Sequence, residues 1–152
     1  MPEQPPPSGR YANRIGCAVL LAIPLWLAYS AWSALEKVND CYALWSAADL
    51  VVEHLDHGDG SWPRSWDDLR AAHEFSQRPG LFPFDGIRAR VAIDWQADPL
   101  LLRAALDDGK NPPFRAIWLR GGGRHHWGAA EPNRIVREYL RRLPCGSTDV
   151  PR

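Results

Sequence analysis

The sequence carries no excess of charge of either sign. Its 152 residues include 18 basic and 18 acidic side chains, so the formal net charge is zero. Nucleic-acid binding relies on a positive footprint that this chain lacks, so we expect no nucleic-acid partner. The length beyond the N-terminal region fits one compact domain and leaves no room for a second core.

Signatures of catalytic chemistry are also missing. The sequence has no GxSxG, CxxC, P-loop or GxGxxG motif. Two acidic pairs, Asp67-Asp68 and Asp107-Asp108, stand at predicted helix ends, where carboxylates have structural roles. We therefore predict that the protein is not an enzyme, needs no cofactor and has no evident small-molecule substrate.

One long segment contains no charge at all. It spans 21 residues, from Ile15 to Leu35. As a helix it would be about 31 Å long, which is enough to cross a bilayer core. Arg10 and Arg14 precede it, and the excess of basic residues on that side favours a cytoplasmic N-terminus. The sequence thus predicts a Pro-rich cytoplasmic head at 1–14, a transmembrane helix at 15–35 and an extracytoplasmic domain at 36–152, in a single-pass membrane protein.

A cleaved secretory signal is the alternative reading of this segment. Small residues stand at suitable spacing in two places, Ala28 with Ser30 and Ala31 with Ser33. The apolar run is longer than the usual signal core of about 7 to 15 residues, which favours a retained anchor. Both readings place the domain outside the cytoplasm.

Cysteine is scarce, with three residues in the chain. Cys17 lies inside the uncharged run, and Cys41 and Cys145 lie near the two ends of the outer domain. An oxidising compartment would permit a Cys41–Cys145 disulfide, which would stabilise the fold by roughly 4 to 5 kcal/mol in the chain-entropy model. Two unrelated buried thiols are the alternative.

Helical periodicity continues beyond the uncharged run. A stripe of Leu35, Val38, Tyr42, Trp45, Ala48, Val52 and Leu55 predicts an amphipathic helix that prolongs the membrane helix. Gly58 and Gly60 end it. Ser65 then caps a helix from Trp66 to Phe75, and the intervening corner contains Trp62 and Pro63. We expect Trp62 and Trp66 to clamp the two helices together.

The second half of the chain alternates strands and helices. Alternation predicts a strand over 87–95, Asp98-Pro99 begins a short helix to Asp107, and 114–120 reads as an interior strand. Residues 124–128 read as a short third strand, and 132–143 as a surface helix whose wet face includes Arg137. The predicted class is α+β, with a small sheet of about three strands covered by helices, and the two longer strands are far enough apart in sequence to pair in parallel.

Histidine and tryptophan supply the remaining candidate sites. His54 and His57 share a helix face, with Asp59 just after, so a metal-dependent enzyme centred on these two histidines is one alternative; a solvated helix end is the other. His125 and His126 are adjacent on a predicted strand, so they point to opposite faces. Six tryptophans outside the uncharged run would either line a sugar- or peptide-binding groove or fill the core: Trp45, Trp62, Trp66, Trp95, Trp118 and Trp127.

Residues 10 to 75 resemble the type IV pilins and the pseudopilins of type II secretion. The shared layout is a short polar leader, a glycine before a long apolar helix, an amphipathic extension and a small α+β head. The stretch HGDGSWPRSWDDL is similar to the segment that follows the long helix in that family. The resemblance implies that Gly16 precedes a leader cleavage site and that Cys17 is the first mature residue, while Leu21 stands where the family has an assembly glutamate.

Together these patterns predict a membrane-anchored envelope protein. Its extracytoplasmic domain would be non-catalytic and would bind other membrane or envelope proteins or further copies of itself, as a pilin-like assembly component does. The alternative is a secreted or anchored carbohydrate- or peptide-binding domain that uses exposed tryptophans.

Overall fold

The computed structural model describes residues 9–58, 60–76, 82–109, 111–122 and 131–143, with side chains from residue 22 onwards. The helices are α1 (Gly9–His57), α2 (Trp66–Phe75), α3 (Phe84–Arg90), α4 (Pro99–Ala104) and α5 (Pro132–Arg142), and the strands are β1 (Val91–Ile93) and β2 (Ile117–Leu119). The fold is α+β, as the sequence predicts, and mainly helical. Contacts between residues divide the chain into two units, Met1–Val38 and Asn39–Arg152.

Within the second unit, α1 supplies one wall of the core. Its buried side chains are small or aliphatic: Ala43, Leu44, Ala47, Ala48, Leu50, Val51 and Leu55. The predicted stripe is wrong for Leu35, Val38 and Tyr42, which are all exposed. Helical spacing fits the predicted stripe and the buried stripe equally well. The buried stripe is rich in alanine, whose small side chain allows neighbouring elements to approach the helix closely.

Two glycines end α1 for different reasons. The Gly58 N–H donates to the His54 carbonyl at 2.9 Å, and a Cβ at Gly58 would lie 2.7 Å from that oxygen. Gly60 has a φ of +75°, which is in the left-handed region. Glycine is therefore required at both positions, once for space and once for backbone conformation.

Replacing Gly60 with alanine is expected to lower the free energy of unfolding by about 1 to 2 kcal/mol, because an L side chain is strained at this φ. Gly121→Ala is the matched control, since nothing lies within 4 Å of its Cβ position and its φ is not left-handed. Denaturant unfolding followed by tryptophan fluorescence would measure both. Equal stability of the two variants would contradict the expected strain.

The strand predicted over 87–95 is wrong in its first half. Residues 84–90 form α3, and only Val91–Ile93 form β1. Phe84, Ile87 and Val91 are all buried, and their spacing of three and four residues is that of one helix face. The same segment also alternates between apolar and polar residues, as a strand does, so the sequence pattern fits both structures. The packing of Phe84 against α2 decides between the two: Phe84 meets the rings of Trp66 and His73 edge-on, at centroid distances of 5.9 and 5.4 Å.

The sheet has two strands in the described ranges, and they are antiparallel. Ile93 pairs with Ile117 and Val91 with Leu119. The parallel pairing of the two longer strands that the sequence permits is therefore wrong. The helix between them, α4, packs on α5 and does not serve as a crossover connection between parallel strands. The predicted third strand, 124–128, lies outside the described residues.

A side chain takes the place of a further strand beside β2. The amide oxygen of buried Asn133 accepts from the N–H groups of Ala116 and Ile117, at 3.0 and 2.8 Å, and its nitrogen donates to the Ile117 carbonyl at 3.0 Å. Ile117 belongs to a non-hydrogen-bonded pair with Ile93, so its backbone groups face away from β1. Asn133 therefore satisfies both of them.

Candidate interaction surfaces

The first unit exposes large apolar side chains along its described helix. These side chains are between 48% and 71% exposed: Ile23, Leu25, Trp26, Leu27, Tyr29, Trp32, Leu35 and Val38. A helix that is apolar on all sides is normally buried in a protein or in a bilayer. Contiguous exposed apolar surface of this extent is rare on monomeric soluble proteins.

Where side chains are described, from Ala22 onwards, no helix combines the length and apolar character needed to cross a membrane.

A second apolar surface surrounds α4. Asp98 caps this helix by accepting from the Leu100 N–H at 2.8 Å, and Pro99 occupies its first position. Leu102 points into the core. Leu100, Leu101 and Leu106 are at least 70% exposed, so this short stretch presents three leucines outward.

Two arginines border the same surface. Leu100, Arg103, Ala104 and Arg141 line an open groove of about 470 Å³. The Arg103 Nη2 donates to the Leu143 carbonyl at 2.7 Å, which ties α4 to the end of α5. Arg141 is exposed. The groove therefore combines aliphatic walls with guanidinium groups.

The loop after α4 is held firmly against α5. Both carboxylate oxygens of Asp107 accept from the Arg134 Nε, at 3.2 and 3.3 Å, and the Arg137 Nε donates to the Ala105 carbonyl at 2.8 Å. The Gly109 N–H and then Arg134 hold the pKa of Asp107 below its ordinary value. Arg137 is buried, so the prediction that it lies on a wet face is wrong; its backbone partner and Asp107 satisfy it there.

The predicted corner between α1 and α2, residues 61–65, is held by a helix cap and by buried side chains. The Ser65 hydroxyl accepts from the N–H groups of Asp67 and Asp68, and Asp68 in turn accepts from the Arg64 N–H at 2.8 Å. Trp62 is buried and donates through Nε1 to the Asp94 carbonyl at 2.7 Å. Pro63 is fully buried.

Trp66, at the start of α2, contacts aromatic residues beside the sheet. Its ring meets Trp95 edge-on at a centroid distance of 5.4 Å, in addition to its contact with Phe84. These contacts of Trp62 and Trp66 join the corner and α2 to α3 and to the residues just after β1, while the clamp between α1 and α2 stays a prediction.

The tryptophans of the second unit are mostly enclosed. Trp62 is buried, and Trp45, Trp66, Trp95 and Trp118 are half-buried. Arg115 lies over the Trp118 ring at 5.3 Å. Trp127 lies outside the described residues. These positions favour packing over an aromatic binding platform.

The histidine candidates lie at the exposed end of α1. The His57 Nδ1 lies 3.2 Å from the Glu53 carbonyl oxygen and 3.5 Å from its carboxylate, so this nitrogen faces its own helix. No cluster of three or more His, Cys, Asp or Glu side chains that could hold a metal ion occurs in the described ranges. Asp59, His125 and His126 fall outside those ranges.

The remaining candidates involve cysteine and the leader. Cys41 is half-buried, and burial, followed by the nearby Asp40 carboxylate, raises the pKa of its thiol. Its predicted partner Cys145 lies outside the described residues, so the disulfide stays a prediction. Gly16 and Cys17 lie in α1 at positions whose side chains are not described.

A tyrosine near the end of the described chain forms a hydrogen bond with α1. The Tyr139 hydroxyl donates to the Asp56 carboxylate at 2.9 Å, joining α5 to α1. Burial, and then this carboxylate, raise the pKa of Tyr139 to about 12. The folded state therefore holds this proton more tightly than the unfolded chain, in which a tyrosine pKa is about 10.

The Tyr139–Asp56 contact is expected to add stability below pH 10 and to lose its contribution as the pH rises toward 12. Tyr139→Phe should lower the free energy of unfolding by about 1 kcal/mol at pH 7 and flatten its decline between pH 9.5 and 11. Tyr42→Phe is the control, because Tyr42 is exposed and contacts Trp45 through its ring alone. An identical pH profile for wild type and Tyr139→Phe would refute the linkage.

No protein family, curated protein or solved structure matches the chain.

Proposed function

We propose that this protein is a single-pass membrane-anchored envelope protein whose domain over 36–152 is extracytoplasmic and acts through non-catalytic interactions. The observation that carries the proposal is the exposed apolar surface of α1 between Ile23 and Leu35, since water is a poor solvent for a helix that is apolar on all sides. The uncharged run begins at Ile15, before the first described side chain, and its 21 residues match the thickness of a bilayer core.

A narrower hypothesis is a pilin-like assembly component. It rests on the layout: the long helix α1 is followed by a glycine corner, the capped helix α2 and a small sheet. In such an assembly α1 would pack laterally against other copies within the membrane. Small residues in the uncharged run would permit close helix packing: Gly16, Ala18, Ala22, Ala28, Ser30 and Ala31.

The first residue of the mature protein, determined by sequencing the chain from its native membrane, tests these proposals. Met1 or Pro2 as the first residue is the result expected for an uncleaved anchor. Cys17 would support pilin-like processing and still leave the apolar helix in place. A first residue near Ala34 would mean that the helix is removed, which would overturn the anchor and favour secretion.

A further inference from the structure

The leucines around α4 form a surface that the fold does not need. We call Leu100, Leu101, Leu106, Arg103 and Arg141 the Leu–Arg surface. Its three leucines are at least 70% exposed, although they occupy a stretch of only seven residues. Scattered single leucines on a surface are ordinary, but a group of three with basic neighbours indicates a contact site.

The surface is held in shape by contacts on its inner side. Leu102 fixes α4 in the core, and the Arg103 guanidinium fixes it to the end of α5. The following loop is tied to α5 through the Ala105 carbonyl and Asp107. The leucines are therefore presented by a rigid support, so little conformational entropy is lost when they bind.

The charges on this surface favour an anionic partner. Arg103 and Arg141 line the groove beside Leu100, and the lining residues include no carboxylate. Arg142, next to Arg141, pairs with the Glu138 carboxylate at 3.8 Å, so Arg141 is the exposed guanidinium that the groove offers to a partner. Guanidinium groups bind phosphate oxygens in a bidentate manner, and apolar side chains beside basic ones can bind the boundary between the headgroups and acyl chains of a bilayer.

We propose that the Leu–Arg surface docks on the anionic phospholipids of the membrane that anchors the chain, with the leucines entering the boundary between headgroups and acyl chains and Arg141 binding lipid phosphate. This inference rests on the proposed anchor, which keeps the domain close to a bilayer. A lipid surface suits the outward-pointing leucines better than a protein partner does, because protein interfaces usually centre on aromatic anchors seated in pockets.

Amide hydrogen exchange of the full-length chain in lipid nanodiscs tests the docking. Nanodiscs of phosphatidylcholine alone are compared with nanodiscs that contain phosphatidylglycerol. Exchange over 99–106 is expected to slow by about fivefold in the anionic lipid, and α2 should exchange equally in both. Arg141→Glu and Leu101→Ser should each abolish the difference, while Arg88→Glu, at an exposed arginine on α3, should preserve it.

Several results would overturn the docking and identify the failing part. Equal exchange over 99–106 in both lipids, with the chain inserted in the nanodiscs, would remove the docking and leave the anchor intact. Protection that grows with the number of chains per nanodisc, independent of lipid charge, would assign the surface to a second copy. A chain that fails to enter nanodiscs would remove both proposals.

Discussion

Asn133→Ala is expected to lower the free energy of unfolding by roughly 3 kcal/mol or more. The substitution leaves three buried backbone groups of Ala116 and Ile117 without their partner, and each such group costs about 1 to 3 kcal/mol. It also removes the donor to the Glu131 carboxylate, which lies 2.7 Å from the Asn133 nitrogen. A loss of this size is a large share of the total stability of a small domain.

Asn133→Asp sharpens the test because it keeps the size of the side chain. An added carboxylate oxygen would face the Glu131 carboxylate and the Ile117 carbonyl where the amide now donates to both. We expect a loss at pH 7 at least as large as that of Asn133→Ala, because two like charges would then be held side by side in a buried position.

Thermal and denaturant unfolding of full-length protein in detergent, followed by near-ultraviolet circular dichroism, would measure these variants. Asn111→Ala is the control, since the Asn111 side chain is exposed and its amide donates to exposed Asp108. This control should stay within about 0.5 kcal/mol of wild type. A similarly small effect for Asn133→Ala would show that water replaces the amide and that the side chain does not close the sheet edge.

Trp62→Ala is expected to lower the free energy of unfolding by about 3 to 5 kcal/mol, the usual range for removing a buried tryptophan. Trp62 is 6% exposed and stands in the sequence between the end of α1 and the start of α2. Its loss would leave a cavity at the corner and remove the shorter of two hydrogen bonds to the Asp94 carbonyl, which would keep only the 3.3 Å bond from the Ala97 N–H. Trp62→Phe should cost less, because it retains most of the apolar area and removes chiefly the hydrogen bond.

The same unfolding measurements apply, with Trp32→Ala as the matched control. Trp32 is exposed in the first unit, so its truncation should leave the unfolding of the second unit unchanged. If Trp62→Ala left stability unchanged and abolished binding to an envelope partner, the corner would be a recognition site and our structural assignment would be wrong.

Local signals predict well where helices begin. The start of α2 follows from Ser65 and its acidic neighbours, and the starts of α4 and α5 follow from a capping residue before a proline. The predicted end of α4 at Asp107 is wrong, since the helix ends at Ala104. These signals lie within four residues of the atoms they position, so they can be read from the sequence. The order of helices and strands after α1 follows from them, apart from α3.

Contacts between distant residues account for what the sequence does not predict. Asn133 closes β2 from 16 residues away, and nothing in its own neighbourhood distinguishes it from an ordinary first-turn asparagine. Arg137 looks like a surface residue until the Ala105 carbonyl is placed beside it. The sequence also does not predict that Leu100 and Leu101 are exposed. The predicted helix has apolar residues on several faces, and only its packing in the fold places Leu102 in the core.

Flotation of the full-length chain with lipid vesicles after an alkaline carbonate wash is the most direct test of the membrane anchor. The wild-type chain is expected to float with the lipid. Leu25→Arg, at the centre of the uncharged run, should reduce the inserted fraction by on the order of 100-fold, whereas Phe75→Arg, at an equally exposed site on α2, should not. Recovery of the wild-type chain in the soluble fraction, or equal flotation of all three chains, would contradict the anchor.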